Sequence, residues 1–311
     1  MKSDISVIMS VYNEPLEVLK KAINSILNQT YLPAEFIIVI DNPNNKEAIC
    51  WIKQLMLIES NMEIKLLINE KNIGLANSLN RAIRNVTCTY VARMDADDIS
   101  VADRFETQFE YIKKNNLDLV GGFIQIMDEN EVDEGLLKCP VEEEKIKKIM
   151  VIENCVKHPT WFLKKEVYDQ LNGYRDIHTC EDFDFVVRAI LKGKKIGNVS
   201  KVCLRYRYNK KSISRTNAAK QQVIRNYIAK EYSNHNIADL ELMRKYLNCK
   251  KGKREIKSYE KYYSDKNSVK MFMSQKKIWK VICPLCSLAK NSITYNRIYV
   301  KIKYCLMRGV R

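Results

Sequence analysis

Three carboxylates fall within four residues at Asp95-Ala96-Asp97-Asp98. At a partly buried strand end such groups repel one another strongly. A hard divalent cation relieves that repulsion and keeps coordination sites for phosphate oxygens. The plainer alternative is a solvated acidic loop at a helix start. Ser100 and Asp103 are placed to form a capping box for the following helix themselves, so the cluster is assigned to a metal–diphosphate site. Glu181-Asp182 is a second acidic pair, ahead of an amphipathic run of Phe183, Val186, Val187 and Ile190. A carboxylate there could take the proton of an attacking hydroxyl, or Thr179-x-x-Asp182 could simply cap a helix. His158 is one of three histidines, and a lone His beside a strand is most often a hydrogen-bonded structural residue. Arg207 and Arg215 follow a late strand. Guanidinium matches phosphate geometry, yet in so basic a region a solvated surface role is the expectation for both.

These side chains need elements to hold them. Ile5–Val11 and Phe36–Asp41 are apolar runs suited to strands covered on both faces. Glu63–Ile68, Thr89–Met94 and Asp118–Ile126 read as further strands. Helices are expected through about Asn28, with Asn13 and Pro15 supplying cap and first-turn chemistry, then through about Glu59, and from Leu75 to Val86 with Leu75, Leu79, Ala82 and Ile83 on one face. Alternation of this kind implies an α/β fold with a largely parallel sheet flanked by helices. Beyond it, Thr160–Leu163 reads as a strand, Lys165–Leu171 and Glu181–Lys192 as helices, and Val202–Tyr208 as a strand. In open α/β sheets ligands sit beyond the carboxyl ends of the strands. The residues placed there are Tyr12-Asn13-Glu14, Asp41-Asn42, Asn72-Ile73-Gly74 and the Asp95–Asp98 cluster. Charge near a helix start also accounts for Glu14, and a plain turn also accounts for Asn72 and Gly74.

The net charge of +16 suggests nucleic acid as a partner, but its distribution points elsewhere. Residues 191–311 hold 31 Lys and Arg against 6 Asp and Glu, while residues 1–190 hold 22 against 31. A mildly acidic body with a basic helical extension suits a catalytic domain held at an anionic surface. Neither a signal peptide nor a segment of the roughly 20 apolar residues needed for a membrane span is evident. A cytoplasmic protein, peripheral on the inner face of the membrane, is therefore expected. The ten cysteines show no disulfide framework. Cys283-Pro-Leu-Cys286 reads as core packing rather than metal binding. Ile278, Val281, Ile282, Leu285 and Leu288 form one stripe, which Pro284 should kink or end.

Ser6–Glu14, the Asp41 strand end, Asn72-x-Gly74-x-x-x-Ser78, Met94–Asp98 and the order His158-Pro159, Gly173-Tyr174, Glu181-Asp182 together resemble family 2 glycosyltransferases of the GT-A fold. The similarity covers about residues 4–215. It implies a Rossmann-like catalytic domain over residues 1–215 and a basic extension over 216–311. It also implies that Val11, Asn13 and Glu14 line a nucleoside pocket, with Asn72, Gly74 and Asp95 on the sugar-nucleotide side. Asp41 would accept a hydrogen bond from uracil, although Ile40 and Asn42-Pro43 depart from the Asp-Asp-Gly-Ser of many relatives. By the same resemblance Asp95, Asp97 and Asp98 hold Mn²⁺ or Mg²⁺, Asp182 is the base, Glu181 positions the acceptor, and His158 lies on the acceptor side. The implied reaction is inverting transfer of a hexose from a UDP-sugar to a lipid-linked saccharide in bacterial capsule or O-antigen synthesis, with an anionic membrane rather than nucleic acid as the further partner. The sequence also permits a homodimer. Two rivals stand beside this reading. A sugar-nucleotide nucleotidyltransferase would carry a Gly-rich loop after the first strand, where Tyr12-Asn13-Glu14-Pro15 stands. A non-enzymatic nucleic-acid binder would leave the acidic cluster unexplained.

Overall fold

The computed structural model describes residues 3–58, 62–208, 217–274, 282–291 and 293–294. The chain divides into two compact units, Met1–Lys147 with Asn154–Lys210, and Lys148–Glu153 with Lys211–Arg311.

The first unit is built on a sheet whose leading strands are the apolar runs of the sequence. β1 (Ile5–Val11), β2 (Glu35–Ile40), β3 (Glu63–Ile68) and β4 (Tyr90–Asp95) are parallel, in the spatial order β3-β2-β1-β4. All six residues of β2 are buried, as expected where helices cover both faces. The crossover helices are α1 (Leu16–Leu27), α2 (Lys46–Leu55) and α3 (Leu75–Ile83). Beyond β4 the sheet becomes mixed. β5 (Ile99–Ser100) leads into α4 (Arg104–Lys114), then β6 (Leu119–Met127), β7 (Asp133–Leu137) and α5 (Glu143–Met150). A single 3₁₀ turn over His158–Thr160 is followed by β8 (Phe162–Lys164), α6 (Lys165–Leu171), α7 (Glu181–Leu191) and β9 (Ile196–Arg207). β8 lies antiparallel between β4 and β6, β9 runs parallel to β6, and β5 closes the edge antiparallel to β9.

Several local expectations are corrected. Ser100 does not cap α4; it is extended in β5 opposite Leu204, its N–H donates to Ser25 Oγ, and its hydroxyl accepts from Gln29 Nε2. The helix starts instead after Asp103, with no side-chain cap bond. Asn13 likewise does not cap α1, because its Oδ1 accepts from Asn42 Nδ2 at 2.5 Å. Leu75 is exposed, whereas Leu79, Ala82 and Ile83 face the core. The last strand is twelve residues long rather than seven, because a register shift at Gly122/Phe123 lets β9 follow β6 along its whole length.

The second unit is helical among its described residues: α8 (Ala218–Ser233), α9 (Leu240–Asn248), α10 (Lys250–Ser274) and α11 (Ile282–Lys290). Its core is small, comprising Ala219, Val223, Tyr259 and Ile293 with Tyr246, Leu247, Ile256, Tyr262 and Tyr263 packed around them. Pro284 is the third residue of α11; Ile278 and Val281, on the stripe that it was expected to kink or end, lie outside the described residues. Cys283 and Cys286 are exposed, not core-packed. None of the described helices is long and apolar enough to cross a membrane.

Candidate active site

At the carboxyl edge of the parallel strands, the ends of β1 and β2 are tied together by backbone and side-chain hydrogen bonds. Asp41 N–H donates to Val11 O at 2.7 Å, and Asn45 Nδ2 donates to Tyr12 O at 3.0 Å. Val11 is buried, Asn13 is exposed and Glu14 is half-buried. Glu14 accepts the Tyr12 N–H at 2.7 Å. Burial, and more weakly the charge of Asp95, raise its pKa despite that bond.

Asp41, 4% exposed, accepts from Asn69 Nδ2 and the Ile73 N–H on Oδ1, both at 2.8 Å, and from the Gly74 N–H on Oδ2 at 2.9 Å. A carboxylate offers about four acceptor positions, so the three bonds leave one, on Oδ2. Asn72 Oδ1 also accepts the Gly74 N–H, and Gly74 takes φ +84 at the start of α3. That left-handed conformation costs glycine little and L-residues much. Asn72 and Gly74 therefore form a turn whose backbone amides are fastened to Asp41. Asn69, which sequence reasoning passed over, is the hub: it also meets Ser78 Oγ and accepts from Arg81. Its position one residue past β3 was the available signal.

The carboxylates of Asp95, Asp97 and Asp98 have ligand atoms within 4.8 Å of one another. Asp98 is fully buried. Its Oδ1 accepts the Arg207 N–H at 2.9 Å, while Oδ2 has no partner. Asp95 is held in a bidentate pair by Arg93, with contacts of 2.5 and 2.6 Å. Burial, then Asp95 and Glu14, push the Asp97 pKa up to about 7. Burial, then Asp97 and Asp95, push Asp98 well above the usual carboxylate range. Burial and mutual repulsion thus work against ionisation of Asp97 and Asp98 together, which a bound cation would relieve.

Two arginines complete it. Arg207 is buried rather than solvated, correcting the surface expectation: its Nε donates to Asp97 O and its Nη2 to Glu131 Oε1. Arg215 lies outside the described residues. Arg93 is 2% exposed. It was visible in the sequence as a cation inside an apolar strand, two residues before Asp95 and so on the same face.

Glu181 and Asp182 open α7. Asp182 Oδ2 accepts from Asn154 Nδ2 at 2.8 Å, which leaves Oδ1 unengaged by that amide. Burial raises its pKa against the hydrogen bonds from Phe183 N–H and Asn154. Glu181, 9% exposed, is pushed up to about 7 by burial and then by Asp182, with Arg93 lowering and Asp95 raising it further down the scale. Arg93 and Asp95 both act on the Glu181 carboxyl electrostatically, more weakly than burial and Asp182. The Gly173-Tyr174 turn is clamped ahead of α7 by Asn80, which accepts the Tyr174 N–H and donates to Tyr174 O, both at 2.8 Å. His158 sits 7% exposed, its Nε2 2.8 Å from Tyr174 Oη and its ring against Trp161. Burial and Arg93 hold its pKa well below the usual histidine value, so it is neutral at physiological pH.

The family model for Glycosyl transferase family 2 matches residues 6–188. Among relatives, an uncharacterised glycosyltransferase of Methanocaldococcus jannaschii is 33% identical over 73% of this chain and 79% of its own. The O-antigen biosynthesis glycosyltransferase WbnJ of Escherichia coli is 35% identical over 68% and 82%. The UDP-Gal:alpha-D-GlcNAc-diphosphoundecaprenol beta-1,3-galactosyltransferase of Escherichia coli is 27% identical over 70% and 79%. In fold, the crystal structure of S. aureus TarS 1-349 superposes with a TM-score of 0.59 at 15% identity, over 94% of this chain and 92% of that one. The architecture is GT-A-like, and the chain belongs to glycosyltransferase family 2.

Proposed function

We propose that this glycosyltransferase moves a hexose from a UDP-sugar to a lipid-linked saccharide, with inversion at the anomeric carbon, in the assembly of a bacterial surface polysaccharide. The observation that carries the reading is the partnerless buried Oδ2 of Asp98 within a cluster of three carboxylates. The three carboxylates bring ligand oxygens within 4.8 Å of one another, and carboxylate oxygens are the donors that hard divalent cations take. Asp95, Asp97 and Asp98 therefore fit Mn²⁺ or Mg²⁺, which when bound supplies Lewis-acid stabilisation to a departing diphosphate. Arg93 fixes the Asp95 carboxylate, and Arg207 fixes both Asp97 O and Asp98 Oδ1.

The remaining chemistry belongs to the protein's own groups. The free position on Asp41 Oδ2 suits one donor of the nucleobase, beside Val11, Asn13 and Glu14. Asn72 and Gly74 shape the same side of the crevice. Asp182, steadied by Asn154, accepts the proton of the acceptor hydroxyl as that oxygen attacks the anomeric carbon. The bond from that carbon to the diphosphate oxygen breaks, a glycosidic bond forms, and the nucleotide leaves as UDP. Attack opposite the leaving group inverts the configuration. Glu181 positions the acceptor, while neutral His158 stiffens the acceptor-side wall through Tyr174. WbnJ and the galactosyltransferase relative act, by their names, in O-antigen synthesis and on a diphosphoundecaprenol-linked sugar, which supports a lipid-linked acceptor here. The excess of Lys and Arg after residue 190 supports work at an anionic inner-membrane surface.

The test is incubation of the purified chain with UDP-glucose, UDP-galactose, UDP-GlcNAc and GDP-mannose, with Mn²⁺ or with EDTA, reading nucleoside diphosphate release. One UDP-sugar should be hydrolysed slowly, with Mn²⁺ and not with EDTA. Hydrolysis that ignores EDTA, or that occurs with none of the UDP-sugars, overturns the proposal.

A further inference from the structure

Outside the crevice, the second unit holds a cavity of its own. Lys220 of α8, Arg244, Leu247 and Asn248 of α9, and Lys253 and Ile256 of α10 line an open bowl of about 340 Å³. Its size is in the range of small-ligand sites, about 300–1,000 Å³. The bowl is two-faced. Leu247 and Ile256 belong to the apolar packing of the three helices, whereas Lys220, Arg244 and Lys253 are exposed. Every charged side chain of the lining is a cation, and none of the three has an ion-pair partner among the described residues. The acidic side chain nearest in sequence on α10, Glu255, already accepts from Tyr246 Oη at 2.6 Å. Three cations and an amide lining one bowl together with two aliphatic side chains match a phosphate group joined to an apolar chain. Nothing in the lining is aromatic, so the bases of a single-stranded nucleic acid would find no stacking platform there.

We propose that this bowl binds the phosphate or diphosphate headgroup of an anionic lipid. It gives the surface association of the proposed function a specific site, and it rests on that reading only for the identity of the lipid in the cell.

The experiment compares the full-length wild-type chain with two charge-matched triple variants. One removes the bowl cations (Lys220→Ala, Arg244→Ala, Lys253→Ala); the other removes Lys230, Lys245 and Lys261, which are exposed but outside the lining. Binding is read by flotation with phosphatidylcholine vesicles, with and without phosphatidic acid, and by titration with inorganic pyrophosphate. Circular dichroism checks that each variant is folded. The wild type should float only with phosphatidic acid, and pyrophosphate should compete it off. The bowl variant should lose about 100-fold in affinity for both probes, from three charges each contributing about fivefold, and the matched variant much less. Equal losses in the two variants would show diffuse attraction and overturn the site. Tighter binding to a single-stranded RNA oligonucleotide than to the vesicles, lost in the bowl variant, would overturn the lipid assignment. Pyrophosphate binding without vesicle binding would overturn it too. Sugar-nucleotide hydrolysis by the wild type is a separate readout, so failure of the proposed catalysis and failure of the bowl are told apart.

Discussion

Glu181→Gln separates the electrostatics of the crevice from its shape, because Gln fills the same volume without a titrating proton. In the folded chain burial and Asp182 hold the Glu181 pKa at about 7, against an ordinary value of 4.5. Between these values the folded state keeps a proton that the unfolded state has released. The proton-bound state therefore contributes stability below about pH 4.5, and that contribution is lost as pH rises through about 7. At about 1.4 kcal/mol per pH unit, the loss from Glu181 alone is about 3 kcal/mol. A glutamine in its place has no such proton to lose. Thermal or urea unfolding of the metal-free protein at pH 5, 6, 7 and 8 should give a stability profile flatter by about 3 kcal/mol in the variant, about 6–12 °C in midpoint for a unit of this size. Asp182→Asn should recover a smaller part of the same difference by removing the neighbouring charge. Parallel pH profiles for wild type and Glu181→Gln would refute the buried-pair reasoning.

Asp182→Asn should retain donor binding and lose transfer by at least about 100-fold, as removal of a general base does; unchanged turnover with a lipid-linked acceptor would remove Asp182 from the reaction. Asn154→Ala deletes the amide that holds Asp182 Oδ2 and should lower kcat about tenfold with the donor KM unchanged, from the loss of one charge-assisted hydrogen bond. Gly173→Ala should cost about 1–3 kcal/mol in chemical denaturation, because Gly173 takes φ +68 and a Cβ there would collide with Asn80 Oδ1. A smaller cost would mean that the Asn80 clamp yields.

What could be read from sequence tracks how local each determinant is. The parallel strands were legible because six- and seven-residue apolar runs bounded by polar residues have few other folded uses, and Asp41 and Asp95 follow from their places at strand ends. Lys165–Leu171 and the start of α7 at Glu181 were also local patterns. The misplacements arose where partners distant in sequence decide. Arg207 looked like one more cation of a basic region, but it meets Asp98 because β9 crosses beside β5. Ser100 had the spacing of a cap and was claimed by sheet pairing instead. Asp41 was legible as a polar residue at a strand end, while its bonds to Ile73 and Gly74 needed the packed loop. Arg93 was the signal in plain view: an arginine in an apolar strand is too costly to bury without a partner, and the partner stood two residues on.

The central claim is that Asp95, Asp97 and Asp98 hold a divalent ion together with a nucleotide diphosphate, and Mn²⁺ titration followed by electron paramagnetic resonance tests it most directly. Wild-type protein should bind one Mn²⁺ per chain, more tightly when UDP is present, and Asp98→Asn should weaken that binding at least tenfold with the fold intact. Mn²⁺ affinity that is the same in wild type, Asp97→Ala and Asp98→Asn, or indifferent to UDP, would contradict it.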